Sequence, residues 1–359
     1  MDLPAAAAAE DPSPSFSDPL SSSSIDPFSC NDLATLQDLA SRGSWLALLD
    51  KLSDATATLQ PHEHLIYLSF NALALFKLRR FSDASRLLID LDLEDSDAEP
   101  DPRHRFESYP NLYPNRSGSM LPFALRWLYA DLPHRLGNRS ESLDRLYRLL
   151  AFIRRRKLAT EAFQNSVWDK REMFVVNSIV SNHLAYKEFS VCLCLLQDQL
   201  RSKPSDPVLL SKAAYIYMQI GDLEEAKSVF TRIEGLAVEG KEFQNLVNRN
   251  RALVYLVGKD YVSAVREYEE CIERDPADVV AFNNKALCLM YLRDLSDSIK
   301  VLEGALERVP TAALNETVVV NLCSMYELAF VNHSEIKKTL SNWIARVAPD
   351  DFNSSCTRT

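Results

Sequence analysis

Two prolines 34 residues apart, Pro276 and Pro310, each close a stretch of the same helical pattern. Other pairs keep that distance: Asn250 with Asn284, Ala252 with Ala286, Ala264 with Ser298, Tyr268 with Leu302 and Cys271 with Ala305. One matched pair means little, but several in one frame describe a small unit stacked on copies of itself. A chain built this way has no single central pocket, so its function is expected on an extended surface.

The residue types fit the tetratricopeptide unit: small residues where two helices touch, large apolar ones at helix centres, a turn between them and a closing proline. Small residues let helix axes approach, and large ones fill the space between units. Carried outward, the frame finds a clear copy from Pro207, with Tyr217, Gly221, Ala226 and Phe230 in register. Further copies begin near Met173, near Leu65 (Ala72, Leu75, Phe81, Ala84, Leu88) and near Phe123. In the Phe123 copy Pro133 falls inside the first helix, where it removes a backbone donor and is expected to kink or shorten it. The chain thus reads as all-α, a right-handed α-solenoid of helix-turn-helix repeats. Its expected divisions are a disordered acidic tail (1–30), N-terminal helices and a first repeat (31–91), an acidic linker with a Tyr/Pro-rich loop (92–122), the solenoid (123–312), capping helices (313–350) and a short tail (351–359).

Composition narrows the function classes. Only 8 of 359 residues are glycine, which suits helix and leaves no GxGxxG or GxxxxGK[ST] phosphate cradle. The seven cysteines form no CxxC pair and read as reduced thiols of a cytoplasmic protein. No apolar run reaches the roughly 18 residues that a membrane span needs. The first 41 residues hold seven acidic and no basic side chains, opposite to an import signal and suited to a solvated tail. Seven more carboxylates lie between Asp90 and Asp101, so the rest of the chain carries a small positive excess within a net charge of −10.

That excess forms no row of cations suited to nucleic acid, and none is expected as a partner. The one basic cluster, Arg154 to Lys157, ends a helix and complements its dipole; a localisation signal or an anionic-lipid contact is the sharper alternative. Nor do titratable groups converge. His62 and His64 lack the spacing that would put two imidazoles on one helical face, and the other histidines stand singly. No enzyme, metal or cofactor is expected.

Two candidate partner surfaces remain. In helical arrays the first helix of each unit lines a concave groove, and here Arg249, Asn250, Asn283 and Asn284 form a polar strip with Tyr215, Leu253 and Leu287 as apolar contacts. Chaperone-tail receptors of this fold place a Lys/Asn/Arg clamp there. Its slots in this chain are Ser211 and Tyr215, then Asn250, then Val280 and Asn284, so Asn250 alone matches and a peptide-binding co-chaperone is the runner-up. The second candidate is the loop with two Tyr-Pro-Asn copies, at Tyr109 and Tyr113, followed by Met120 and Phe123. Its density of aromatics fits either a partner contact or burial against its own unit.

The segments SYPNLYPNRSGSMLPFALRWLYADL, YMQIGDLEEAKSVF, DPADVVAFNNKALCLMYLRDLSDSIKVLE, LNETVVVNLCSMYEL and DFNSSC, spread over Ser108 to Cys356, carry a more specific likeness. Together they resemble the tetratricopeptide-repeat subunit family of the trafficking protein particle complex, its subunit 12. The resemblance implies a non-enzymatic scaffold in a multisubunit vesicle tether that exchanges nucleotide on a Rab-family GTPase through other subunits. It further implies a place in endoplasmic reticulum to Golgi transport and autophagy, in the cytoplasm and peripheral to those membranes, through contacts with other subunits of the complex.

Overall fold

The computed structural model describes residues 27–54, 59–89, 102–159 and 165–357. Among them the chain is helical, with no strand beyond an isolated bridge between Arg105 and Ser119. It divides into two units, the first running to Lys187 and including Pro349–Asp351, the second holding Glu188–Ala348 and the residues from Phe352 onward. The acidic run from Asp90 to Asp101 and most of the expected N-terminal tail lie outside the described residues.

The N-terminal unit contains α1 (Pro27–Ser41), α2 (Trp45–Asp54), α3 (Pro61–Lys77), α4 (Phe81–Ile89), α5 (Phe123–Arg135), α6 (Arg139–Ala159) and α7 (Asn165–Ala185). The C-terminal unit contains α8 (Phe189–Ser202), α9 (Pro207–Ile220), α10 (Leu223–Glu234), α11 (Lys241–Val257), α12 (Tyr261–Arg274), α13 (Val279–Tyr291), α14 (Leu295–Arg308), a single turn α15 (Pro310–Ala313), α16 (Glu316–Ala329) and α17 (His333–Val347). The repeat expected from Met173 to Pro204 is divided by the boundary between units.

Local chemistry sets these limits. Asp206, Asp222, Asp260, Asp278, Asp294 and Asn315 each accept a backbone N–H of the first turn they precede, satisfying donors the helix cannot. Most helix pairs reverse through one residue in the left-handed region. Glycine fills that place at Gly43, Gly137 and Gly221, but Arg79, Lys259 and Arg293 hold it elsewhere, at φ of 60 to 67°.

Paired helices touch through small residues 12 positions apart: Ala72 and Ala84, Ala130 and Ser142, Ala214 and Ala226, Ala252 and Ala264, Ala286 and Ser298, all buried. Serine fits there because its hydroxyl donates across the contact, Ser142 Oγ to Ala130 O at 2.8 Å and Ser298 Oγ to Ala286 O at 2.7 Å. Large side chains fill the space around these contacts, Phe70, Leu125 and Leu128 in the N-terminal unit and Tyr268, Leu302 and Leu322 in the C-terminal one.

Several expectations change in detail. Helix α1 begins at Pro27, inside the segment read as tail. Pro133 sits in the last turn of α5, which continues to Arg135. The carbonyl that its missing N–H would have engaged, Tyr129 O, accepts from Arg145 Nη1 at 3.1 Å, so the helix survives without an orphaned acceptor. At the other end, residues read as tail form a short 3-10 turn, Ser354–Thr357. It buries Cys356 and Thr357, with Cys356 against Val319, Cys323 and Ile344.

In the N-terminal unit Pro349–Asp351 closes on the α1–α2 turn. Asp350 N–H donates to Gly43 O at 3.0 Å, and the Asp350 carboxylate accepts from Leu46 N–H at 2.9 Å. Gly43 is required twice over, by its φ of +70° and because a Cβ there would lie 2.5 Å from Pro349 Cβ.

Candidate interaction site

The polar strip expected on the groove lies inside the helix packing instead. Asn250, Asn283 and Asn284 are almost wholly buried, and each is bonded to neighbouring helices. Tyr215 Oη donates to Asn250 Oδ1 at 2.6 Å, and Asn250 Nδ2 donates to Ser211 Oγ at 3.0 Å, joining α11 to α9. Asn284 Nδ2 donates to Tyr268 Oη at 3.3 Å, joining α13 to α12, and Asn321 Nδ2 donates to Asn283 Oδ1 at 2.8 Å, joining α16 to α13. Burial pushes the Tyr215 hydroxyl up to about 12, so it stays a neutral donor at any physiological pH.

Arg249 is also engaged. Its guanidinium meets Asp278 at 3.0 and 3.2 Å, and that carboxylate accepts from Asn245 Nδ2 at 3.3 Å and from the Ala281 N–H at 3.0 Å. Asn245 and Asn248 in turn accept from Arg274, and Asn248 donates to Glu267 and Glu270 at 2.7 and 2.8 Å. Buried polar groups must find partners, and here the partners are the neighbouring repeats. Leu253 and Leu287 are half-buried beside this spine. Asn250, the one match to a carboxylate clamp, has its amide and carbonyl committed to Ser211 and Tyr215, which removes the clamp.

The Tyr/Pro loop is likewise held by its own unit. Tyr113 is buried, edge-on to His62 and Phe106, with its hydroxyl 2.7 Å from His62 Nδ1. Met120 is buried and donates its N–H to His104 O at 2.8 Å. Glu107 fixes the base of the loop by accepting the Gly118 N–H at 2.8 Å and pairing with Arg105. The hydrogen bond from Arg105, with that from the Gly118 N–H, holds its carboxyl down to about 2. Tyr109 is half-buried on the same core, and Phe123 packs edge-on to Phe174 beneath Arg171. The proposal of a partner-facing loop is therefore corrected for Tyr113 and Met120: the apolar floor made by α3 and α5 is within the loop's own reach.

The basic cluster divides. Arg154 and Lys157 turn onto α7, where Glu172 takes Arg154 Nε at 2.9 Å and Lys157 Nζ at 3.0 Å, and Asp169 takes Lys157 at 2.6 Å. Arg155 and Arg156 are exposed. The hydrogen bond to Asp169 raises the Lys157 ammonium above its ordinary range. Sequence reading missed Asn245, Asn248, Asp278 and Asn321 as members of the spine. Their signal was the unusual density of asparagine on α11 and α13, since an amide inside a helix is tolerated only with a partner.

Among the described residues no three His, Cys, Asp or Glu side chains gather to hold a metal ion, and no helix is long and apolar enough to cross a membrane.

Comparison with known proteins agrees with the repeat frame. The family described as "Tetratricopeptide repeat" matches residues 209–237, spanning α9 and α10. "Trafficking protein particle complex subunit 12" of Mus musculus is 34% identical over 271 residues, 70% of this chain and 34% of that one. The Homo sapiens protein of the same name is 32% identical over 271 residues, 70% of this chain and 37% of its own. The chain thus spans about a third of the length of these relatives. Among solved structures, a tetratricopeptide repeat protein from Parabacteroides merdae covers 84% of this chain and 97% of its own, with 14% identity and a TM-score of 0.46. The chain is an all-α tetratricopeptide-repeat protein related in sequence to subunit 12 of the trafficking protein particle complex.

Proposed function

We propose that this chain is a scaffold subunit of a multisubunit vesicle-tethering assembly of the trafficking-particle kind. The observation that carries the reading is the identity of about a third over 70% of the chain to proteins bearing that name. In this reading it has no catalytic or cofactor chemistry of its own, and nucleotide exchange on a Rab-family GTPase belongs to other subunits. It acts in the cytoplasm at endoplasmic reticulum and Golgi membranes, with a part in autophagy, and touches the membrane only through the assembly. The arrangement of polar groups supports a structural role. The amides, carboxylates and guanidiniums that sequence suggested as a binding strip tie helices to one another, leaving recognition to the outer faces of the array.

The test is affinity purification of the tagged chain from its own cells, followed by mass spectrometry. Recovery of trafficking-particle subunits in stoichiometric amounts is expected. Recovery of chaperones without any tether subunit would overturn the reading in favour of a peptide-binding adaptor.

A further inference from the structure

The C-terminal unit distributes its exposed apolar surface unevenly. The first helices of successive pairs, α11, α13 and α16, end on one edge, where the turns to α12, α14 and α17 lie. Tyr261 at the start of α12 stacks flat on Tyr291 at the end of α13, centroids 5.0 Å apart and planes 9° apart, so neighbouring turns are in contact along that edge. Tyr255, Val262, Leu292, Phe330 and Val331 are all exposed there, Val331 almost completely. Among the described residues, the opposite edge of the same unit shows Val208, Val238 and Val347 as its large exposed apolar side chains. With roughly half of most of these side chains open, and about 150–250 Å² for a large ring and less for Val and Leu, the strip offers on the order of 500 Å². That is more than half of the about 800 Å² per partner of a standard protein interface, and exposed apolar surface of this size is often an interaction surface.

Charge says what kind of partner fits. Lys259 and Arg293 stand at the two central turns, one repeat apart, and both are exposed and left-handed, where glycine would be less strained. The carboxylates beside them are committed to helix starts: Asp260 accepts from Ser263 N–H at 3.1 Å and Asp294 from Asp297 N–H at 3.2 Å. Among the described residues neither cation makes an ion pair or hydrogen bond within the unit. The Tyr261–Tyr291 stack brings the two turns together, so carboxylates two helical turns apart on a docked helix, about 10.5 Å at 1.5 Å per residue, suit the reach of the two long cationic side chains.

We propose that this edge docks an amphipathic helix of a partner protein, apolar against Tyr255, Tyr291 and Leu292 and carrying two carboxylates, seven residues apart, opposite Lys259 and Arg293. The inference deepens the assembly reading by naming a face and the chemistry of what covers it. It is tested without cells, so either can fail alone.

The probe is a fluorescein-labelled synthetic amphipathic helix with Leu and Phe on one face and Glu at i and i+7, titrated into the full chain by fluorescence anisotropy. Binding is expected, weakened at least tenfold by Lys259→Glu with Arg293→Glu, and restored to that double variant by the peptide with Lys at the two positions. Leu292→Ser should weaken both pairings, while Val208→Ser on the opposite edge changes neither. Circular dichroism checks that each variant keeps its helix. No binding of the acidic peptide to the wild-type chain, or binding unaffected by the charge reversals, would overturn the proposal. So would a concentration-dependent doubling of mass abolished by Leu292→Ser, which would make the occupant a second copy. Co-sedimentation with anionic phosphatidylserine vesicles lost in the same double variant, without peptide binding, would make it a membrane.

Discussion

Replacing Asn250 with alanine separates a packing role from a ligand-binding one. In the structure the Asn250 amide and carbonyl bridge Ser211 and Tyr215; Asn250 and Ser211 are nearly removed from solvent and Tyr215 is half-buried. Truncation deletes two hydrogen bonds, and the hydroxyl each leaves behind costs about 1–2 kcal/mol in all, the lower part of the range for an unsatisfied buried group because a hydroxyl can rotate to another partner. Alanine returns up to about 0.7 kcal/mol in helix propensity. The net loss is about 2–3 kcal/mol, a large part of the 5–15 kcal/mol that holds a typical domain together. Tyr215→Phe alone should cost about 1 kcal/mol, and the double variant less than the sum, with a coupling of about 1 kcal/mol between the two positions. Urea unfolding followed by far-ultraviolet circular dichroism reads this directly: at a slope of about 2–3 kcal/mol per molar, the Asn250→Ala midpoint falls by about 1 M. A shift under about 0.2 M with strict additivity would refute the spine and return Asn250 to the groove.

Four further outcomes follow from other parts of the chain. Ala264→Leu, at the 12-residue contact with Ala252, forces the α11–α12 axes apart and should cost at least about 1–3 kcal/mol in the same urea assay. Gly137→Ala meets only left-handed strain, of the order of 1–2 kcal/mol, whereas Gly43→Ala must also displace Pro349; the second should lower the melting temperature more. The Glu107 carboxyl is depressed, so its hold on the Gly118 amide is fully present above its ordinary value of 4.5 and lost as pH falls through about 2. Hydrogen-exchange protection at Gly118 should fall in that window, and Glu107→Gln should remove the pH dependence. At pH 8 a thiol reagent should label Cys194 quickly. Cys192, Cys271 and Cys288 are buried, with thiols pushed up to about 11, 12 and 12, and should react only after denaturant is added.

The repeat was legible because its markers act locally. A small residue at a helix contact, an aspartate at a helix start and a reversal at the residue before it are all local features, and Ala252, Ala264 and Asp260 can be read without knowing the neighbours. The spine was misread because a 34-residue period states which residues are equivalent, not how far each helix is rotated about its own axis. Asn250 and Asn284 were correctly paired and assigned to the wrong side of their helices. Arg154 and Lys157 were taken as dipole partners at a helix end because their acids, Asp169 and Glu172, sit on another helix and only folding brings them near. Tyr113 was undecided for the same reason: its floor, His62 and Phe106, includes a residue 51 positions away. The C-terminal residues were too few to show periodicity, and the burial of Cys356 rests on Val319, Cys323 and Ile344, distant in sequence.

Asp278 has a consequence for where this protein can be cut. By sequence, a repeat ends at Pro276, and a fragment stopping there would retain every residue of α11 and α12. It would also strip Arg249 of its counter-ion and Asn245 of an acceptor, because the carboxylate that serves both lies two residues past the boundary, at the cap of α13. The piece with its polar groups satisfied is therefore offset from the written repeat, running from α11 into the first turn of α13. Deletions, fusions and exon-like exchanges drawn at the prolines would separate what chemistry has joined, and the safer joint lies beyond the Asp278 cap.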